Sequence, residues 1–245
     1  MAIPAVRGTA AGKRTQPPRL SFLRQSLTIA SKDLRSELRT KEALNASFAF
    51  ALVILLLFSF AFEPTAEQTR QIAGGLLWLV FAFAGALILN RSFARELPND
   101  CLDALVAAPI SGAALFAGKA LANLALLAAV ELVCLPVFGV FYNVPWTQQF
   151  WPLMLVLLLG TWGLTVIGTM FSALTVNLRL RELMLPMLVY PIMIPALLAA
   201  VQLTTPLIMG EPLTAELIPW LRLLAAFDII FTALALALVE TVLVR

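Results

Sequence analysis

The 245-residue chain is 61% hydrophobic and only 13% charged, with a net charge of +3, whereas soluble domains run near half apolar and a quarter charged. Its apolar residues fall in long blocks, which excludes a soluble globule and points to an all-α polytopic membrane protein. It has no histidine, so the commonest general base, metal ligand and haem axial ligand is missing. Cys101 and Cys134 fit neither a CxxC nor a zinc pattern, and no metal site or nucleic-acid partner is expected.

Residues 1–19 carry Arg7, Lys13, Arg14 and Arg19 among Pro, Gly, Ala and Thr, with no apolar stretch close behind. That composition predicts a disordered basic tail and no cleaved signal peptide. Residues 20–42 predict a helix. Leu20, Leu23, Leu27, Ala30, Leu34 and Leu38 recur at spacings of three and four, while Arg24, Lys32, Asp33, Arg35, Glu37, Arg39 and Lys41 occupy the other positions. Glu37 and Lys41 have the spacing of a helical ion pair. A soluble helix on a partner would show the same pattern. Directly before a membrane span and rich in Arg and Lys, it reads as a helix in the lipid interface.

Six apolar blocks predict six spans within a transmembrane domain covering 20–245: residues 45–62, 72–89, 120–141, 150–176, 183–203 and 219–244. The shortest rises about 27 Å as a helix, enough to cross a bilayer. Pro186, Pro191 and Pro195 predict a kinked or broken fifth span.

Between the second and third blocks lies a polar stretch, NRSFARELPNDCLDALVAAPISGAALFAGK. Its closing GK invites a phosphate-loop reading. However, five residues rather than four separate Gly112 from Gly118, and Ala120 stands where the metal-holding hydroxyl belongs. The motif fails, and Lys119 reads as an interfacial anchor of the third span. Pro98-Asn99-Asp100 looks like a helix start, and Asp100 and Asp103 favour a first turn. Leu102, Leu105 and Val106 share one face, and Pro109 ends the element. The choice is between a short surface helix that grips a partner and a solvated connector.

All Lys and Arg residues except Arg70 and Arg222 fall in the N-terminal segment, the second and fourth loops and the C-terminus. The charge bias places both termini and the 90–119 loop in the cytoplasm. Trp146, Trp151 and Trp220 sit at the outer block ends, as an aromatic belt requires.

Three stretches carry a family resemblance: LRSELRTKEALN; GGLLWLVFAFAGALILNRSFARELPNDCLDALVAAP with ALFAGKALAN; and LLLGTWGLTVIGTMFSALTVNLRLRELMLPMLVYPIMIP. Together they resemble the haem exporter B subunit of the bacterial cytochrome c maturation system (CcmB), from about residue 20 onward. The resemblance implies an ABC-2-type exporter permease of the bacterial inner membrane, with an interfacial helix, six spans and a cytosolic coupling helix. It implies that Asp100–Val106 is that helix. Leu102, Leu105 and Val106 would seat in a separate ATP-binding subunit, with Arg95, Glu96, Asp100 and Asp103 at the rim. Implied partners are that ATP-binding subunit, a second permease copy, a tryptophan-rich haem-handling membrane protein, a small single-span membrane subunit and a haem chaperone. ATP would act on the partner and haem would be cargo, with no cofactor held by this chain. Whether the energy drives haem export or release of a haem-loaded chaperone stays open.

Within the spans, Glu131 and Asp228 are costly in lipid. Each reads as a pathway or partner contact, or as a structural group. Trp78 and Trp162 stack on a flat porphyrin or simply pack. A membrane enzyme would need convergent catalytic groups, and these carboxylates without His make a poor site. An ABC-2-type export permease for another substrate, such as a lipid or polysaccharide, has the same architecture and remains the alternative.

Overall fold

The computed structural model describes residues 21–62, 67–97, 110–176, 178 and 180–243, and the regular structure among them is helical. Helix α1 spans Phe22–Thr40 and α2 Glu42–Ala61, followed by α3 over Glu67–Arg91 and a short 3-10 turn at Ala94–Glu96. Then come α4, Gly112–Phe141; α5, Phe150–Thr175; α6, Arg181–Ile208; and α7, Ile218–Leu243. Six of these, α2 to α7, are long and apolar enough to cross a membrane. The chain is a polytopic membrane protein.

The bundle has a clear interior. In their most apolar windows, α3 and α5 are each 67% buried, against 22% for α2 and 28% for the last span. The two central helices therefore face protein on most sides, and the outer ones present apolar side chains outward. Phe60, Ile229 and Ile230 are examples. Outward apolar surface is what a lipid-facing helix requires, because lipid tails are as apolar as leucine.

Small residues let α5 sit at the centre. Trp78 of α3 packs over Gly160, Leu89 packs over Gly168, and the Asp228 carboxylate of α7 lies against Gly163. A side chain at any of the three would push these neighbours away, so glycine permits the close helix approach that membrane bundles rely on. Hydroxyls on the same helix supply polar contacts: Ser172 Oγ donates to the Leu89 carbonyl at 2.8 Å, and Thr169 Oγ1 accepts from Asn123 Nδ2 at 2.9 Å.

Two expectations are narrowed here: the fifth span is not broken, and the third starts earlier. Helix α6 runs unbroken from Arg181 to Ile208 with Pro186, Pro191, Pro195 and Pro206 inside it. Each proline removes one N–H donor, but α6 is held along its length by α3, α5 and α7, so packing carries it through the expected break. Helix α4 begins at Gly112 rather than near Ala120, because Ser111 Oγ accepts from Ala114 N at 3.2 Å and caps it. Gly118 and Lys119 are thus mid-helix. Their amides serve the helix ladder and are not free to cradle phosphate.

Candidate functional site

The densest charged cluster lies where α1, the end of α3 and the start of α4 meet. Helix α1 packs chiefly on α4, and Gly118 makes the contact close. A Cβ there would lie 2.7 Å from both Ile29 Cβ and the Ser26 carbonyl oxygen. Ser26, Ile29, Ala30 and Glu37 are buried against the bundle, while Leu23, Leu27 and Leu38 are exposed. Asp33 and Glu37 are turned inward beside Ile29 and Ala30, and Leu34 packs on the core, while Leu23, Leu27 and Leu38 point outward, the arrangement a lipid-facing stripe needs.

The inward polar groups form a closed ring of charges. Lys119 is 1% exposed. Its Nζ donates to Asp33 Oδ2 at 3.1 Å, Glu96 Oε1 at 3.2 Å and the Ser92 carbonyl at 2.8 Å. Three ammonium protons thus meet three acceptors, and the Phe93 ring lies 4.8 Å from the same nitrogen. Lys32 completes the ring, 2.7 Å from Glu96 Oε1 and 3.1 Å from Asp33 Oδ1. Two acids and two lysines alternate, so the ring carries no net charge. Partial burial works against the Lys32 ammonium, but its hydrogen bond to Glu96 and the charge of Asp33 outweigh this and hold its pKa above the ordinary lysine value.

A second bridge lies beside the ring. Arg95 pairs with Glu37, and Glu37 Oε1 also accepts from Leu44 N at 2.8 Å, binding the first turn of α2. The expected Glu37–Lys41 pair gives way to this arrangement. Lys41 instead adopts φ 55°, and its amide closes α1 onto the Glu37 carbonyl. Asn123 Nδ2 extends the polar seam inward, donating to Ser92 Oγ and Thr169 Oγ1 at 2.9 Å each. A cleft of about 160 Å³ opens among Asp33, Ser36, Ser92, Arg95, Glu96 and Asn123.

Of the residues expected at a partner's surface, Arg95 and Glu96 are thus engaged inside the chain. Asp100, Leu102, Asp103, Leu105 and Val106 lie outside the described residues. Lys119, expected as an interfacial anchor of the third span, is the buried centre of the ring. Sequence reasoning missed Asp33 and Glu37 as interior groups. Their positions off the leucine stripe of α1 were readable, but their partners are distant in the chain.

The intramembrane candidates separate. Glu131 of α4 is buried and accepts a hydrogen bond from Thr161 of α5. Asp228 of α7 meets α5 at Gly163, two positions on and therefore on another face of that helix. The two carboxylates do not come together. Trp78 is buried, and its Nε1 donates to Thr204 Oγ1 at 2.9 Å. Trp162 Nε1 donates to Thr232 Oγ1 at 2.9 Å. The Thr161, Thr165, Thr169, Ser172 run, at spacings of four and three, was a visible signal for a polar α5 face.

Comparisons with known proteins agree over most of the chain. The family described as "CcmB protein" matches residues 24–242. A "Heme exporter protein B" of Rhodobacter capsulatus is 36% identical over 175 residues, covering 71% of this chain and 80% of that protein. Its counterpart in Paracoccus denitrificans is 33% identical over 205 residues, 83% of this chain and 91% of that one. That of Pseudomonas aeruginosa is 30% identical over 199 residues, covering 81% and 88%.

Proposed function

The chain belongs to the CcmB protein family, and on that premise we propose that it is the membrane-spanning permease subunit of an ABC transporter serving cytochrome c maturation. It sits in the bacterial inner membrane with both termini in the cytoplasm. ATP is hydrolysed on a separate subunit, and the work is haem export or release of a haem-loaded chaperone. The relatives named as haem exporters support the cargo class, and the one-sided distribution of Lys and Arg supports the orientation.

One observation carries the coupling part of this reading. The 98–109 segment, which carries Leu102, Leu105 and Val106 in its sequence, follows closely on Arg95 and Glu96, which are ion-paired to Glu37, Lys32 and Lys119. A partner that grips the segment and changes shape with nucleotide therefore pulls on α1 and α4 together. A displacement there passes into the bundle as movement of packed helices, and nucleotide shifts the population between two arrangements by binding one of them better. This chain contributes no catalytic group to hydrolysis.

The test is affinity purification of the tagged permease in mild detergent. A nucleotide-hydrolysing partner should accompany it, the complex should carry haem, and deletion of the gene should abolish c-type cytochromes. A complex with an ATPase but no haem, in cells that keep their c-type cytochromes, moves the reading to another exported substrate.

A further inference from the structure

Helix α1 carries positive charge that nothing among the described residues answers. At about 100° per residue, its exposed Leu23, Leu27 and Leu38 fall in one narrow stripe. About 60–120° to one side of Leu27 lie Ser26, Ala30, Asp33 and Glu37, the face turned to the bundle. About the same angle to the other side lie Arg24, Arg35 and Arg39, all exposed. The leucine stripe therefore runs between the bundle and a basic face.

The acids of α1, Asp33 and Glu37, are engaged inward by Lys32, Lys119 and Arg95. Glu42 nearby is held by Arg91. Among the described residues, no carboxylate pairs with Arg24, Arg35 or Arg39. A surface groove of about 630 Å³ runs along this face, lined by Thr28, Ser31, Lys32, Arg35, Arg39 and Thr40. Lys32 is committed to Asp33 and Glu96. The hydroxyls are committed to the helix itself: Thr28 Oγ1 donates to the Arg24 carbonyl at 2.7 Å, Ser31 Oγ to the Thr28 carbonyl at 2.9 Å and Thr40 Oγ1 to the Ser36 carbonyl at 3.3 Å. The donors left to the groove are the guanidinium forks of Arg35 and Arg39. Four residues apart, they are neighbours on the helix surface, placed to close on one phosphate.

The two adjoining surfaces identify the occupant. A free phosphate or an acidic protein loop would answer the arginines but leave Leu23, Leu27 and Leu38 against water. A zwitterionic lipid would cover the leucines but bring its own cation to a face already in positive excess. An anionic phospholipid meets both surfaces at once, acyl chains on the leucines and phosphate on the arginines.

We propose that the Arg35–Arg39 groove of α1 docks the headgroup of an anionic phospholipid, whose acyl chains lie on the leucine stripe beside it. The proposal rests on the membrane-spanning bundle and this face of α1, and not on the cargo or on what powers the transporter.

The experiment measures the thermal midpoint of the full chain, purified in mild detergent with whatever accompanies it, in micelles doped with phosphatidylglycerol or with phosphatidylcholine. A ligand that binds the folded state raises the midpoint. Phosphatidylglycerol should raise it by several degrees, and phosphatidylcholine should not. Arg35→Gln with Arg39→Gln should lose most of that shift, while Arg222→Gln, which removes an exposed arginine of α7, should keep it. In native membranes, a photo-reactive residue at Ser31 of the otherwise unchanged chain should join to phospholipid, an arm that stands even if the double variant fails to accumulate. Equal shifts from the two lipids, a shift undiminished in the double glutamine variant or equally lost in Arg222→Gln, the same shift from inorganic phosphate alone, or cross-links from Ser31 to protein only would each overturn the proposal.

Discussion

Lys119 Nζ lies 3.1 Å from Asp33 Oδ2, joining residues 86 positions apart. Because the lysine is buried and shared with Glu96, removing it leaves two acids facing one remaining lysine. Breaking a buried pair by deleting one partner costs roughly 3–5 kcal/mol. Lys119→Met should therefore lower the thermal midpoint in detergent strongly, and Asp33→Asn less, since Asp33 is partly exposed. Lys119→Met with Asp33→Leu should recover part of the loss in a double-mutant cycle. A Lys119→Met protein as stable as the parent would show that the ring does not hold α1 to α4.

The leucines of α1 supply a second test. Leu27 is 61% exposed, so in water Leu27→Asp would be nearly neutral. In lipid the leucine is buried in acyl chains, a transfer worth about 1.5–3 kcal/mol for a full side chain. Leu27→Asp should reduce assembly in membranes, whereas Arg35→Gln should not. Equal tolerance of both would place the outward face of α1 in water.

The spans were readable because a bilayer demands long apolar runs, and no tertiary fact is needed to see one. The start of α4 was not. A lysine at 119 suggests an end to a membrane helix, and only Asp33 and Glu96, brought from elsewhere in the chain, make it an interior residue. Glu37 illustrates the same limit. The local rule offers Lys41 four residues on, but the fold offers Arg95, and Glu37 also caps α2 through Leu44. Glu131 and Asp228 were visible as anomalies. Only packing against α5 shows that one is satisfied by Thr161 and the other by nothing in the described chain.

Thr161 and Glu131 form a buried contact between α4 and α5. Thr161→Val keeps the volume but strands the carboxyl, and an unsatisfied buried polar group costs about 1–3 kcal/mol. The variant should unfold at lower temperature. Thr161→Val with Glu131→Leu, which removes both polar partners, should regain much of the loss. Additive losses in the two single changes would show that the pair does not interact.

The proposed orientation is open to thiol labelling in a background lacking Cys101 and Cys134. Single cysteines at Thr65, Asn143 and Thr214 should react with an impermeant reagent added outside intact spheroplasts. One at Asn177 should react only after lysis. Outside labelling of Asn177 would overturn the topology that the positive charges imply.

The proposed coupling segment makes the sharpest prediction, because two kinds of variant should fail differently. Truncating a well-buried apolar anchor at an interface costs roughly 2 kcal/mol or more, while a rim charge costs about 1 kcal/mol or less. Leu102→Ala with Leu105→Ala should therefore detach the ATP-binding subunit in copurification, and Asp103→Asn should leave it bound. Glu96→Gln acts elsewhere. It loosens the tie to Lys32 and Lys119 without touching the apolar face of the segment, so the partner should stay bound while c-type cytochrome yield falls. If Glu96→Gln releases the partner as fully as the double leucine change does, Glu96 belongs to the contact surface itself. Transmission through the charge ring is then not what links the segment to the bundle.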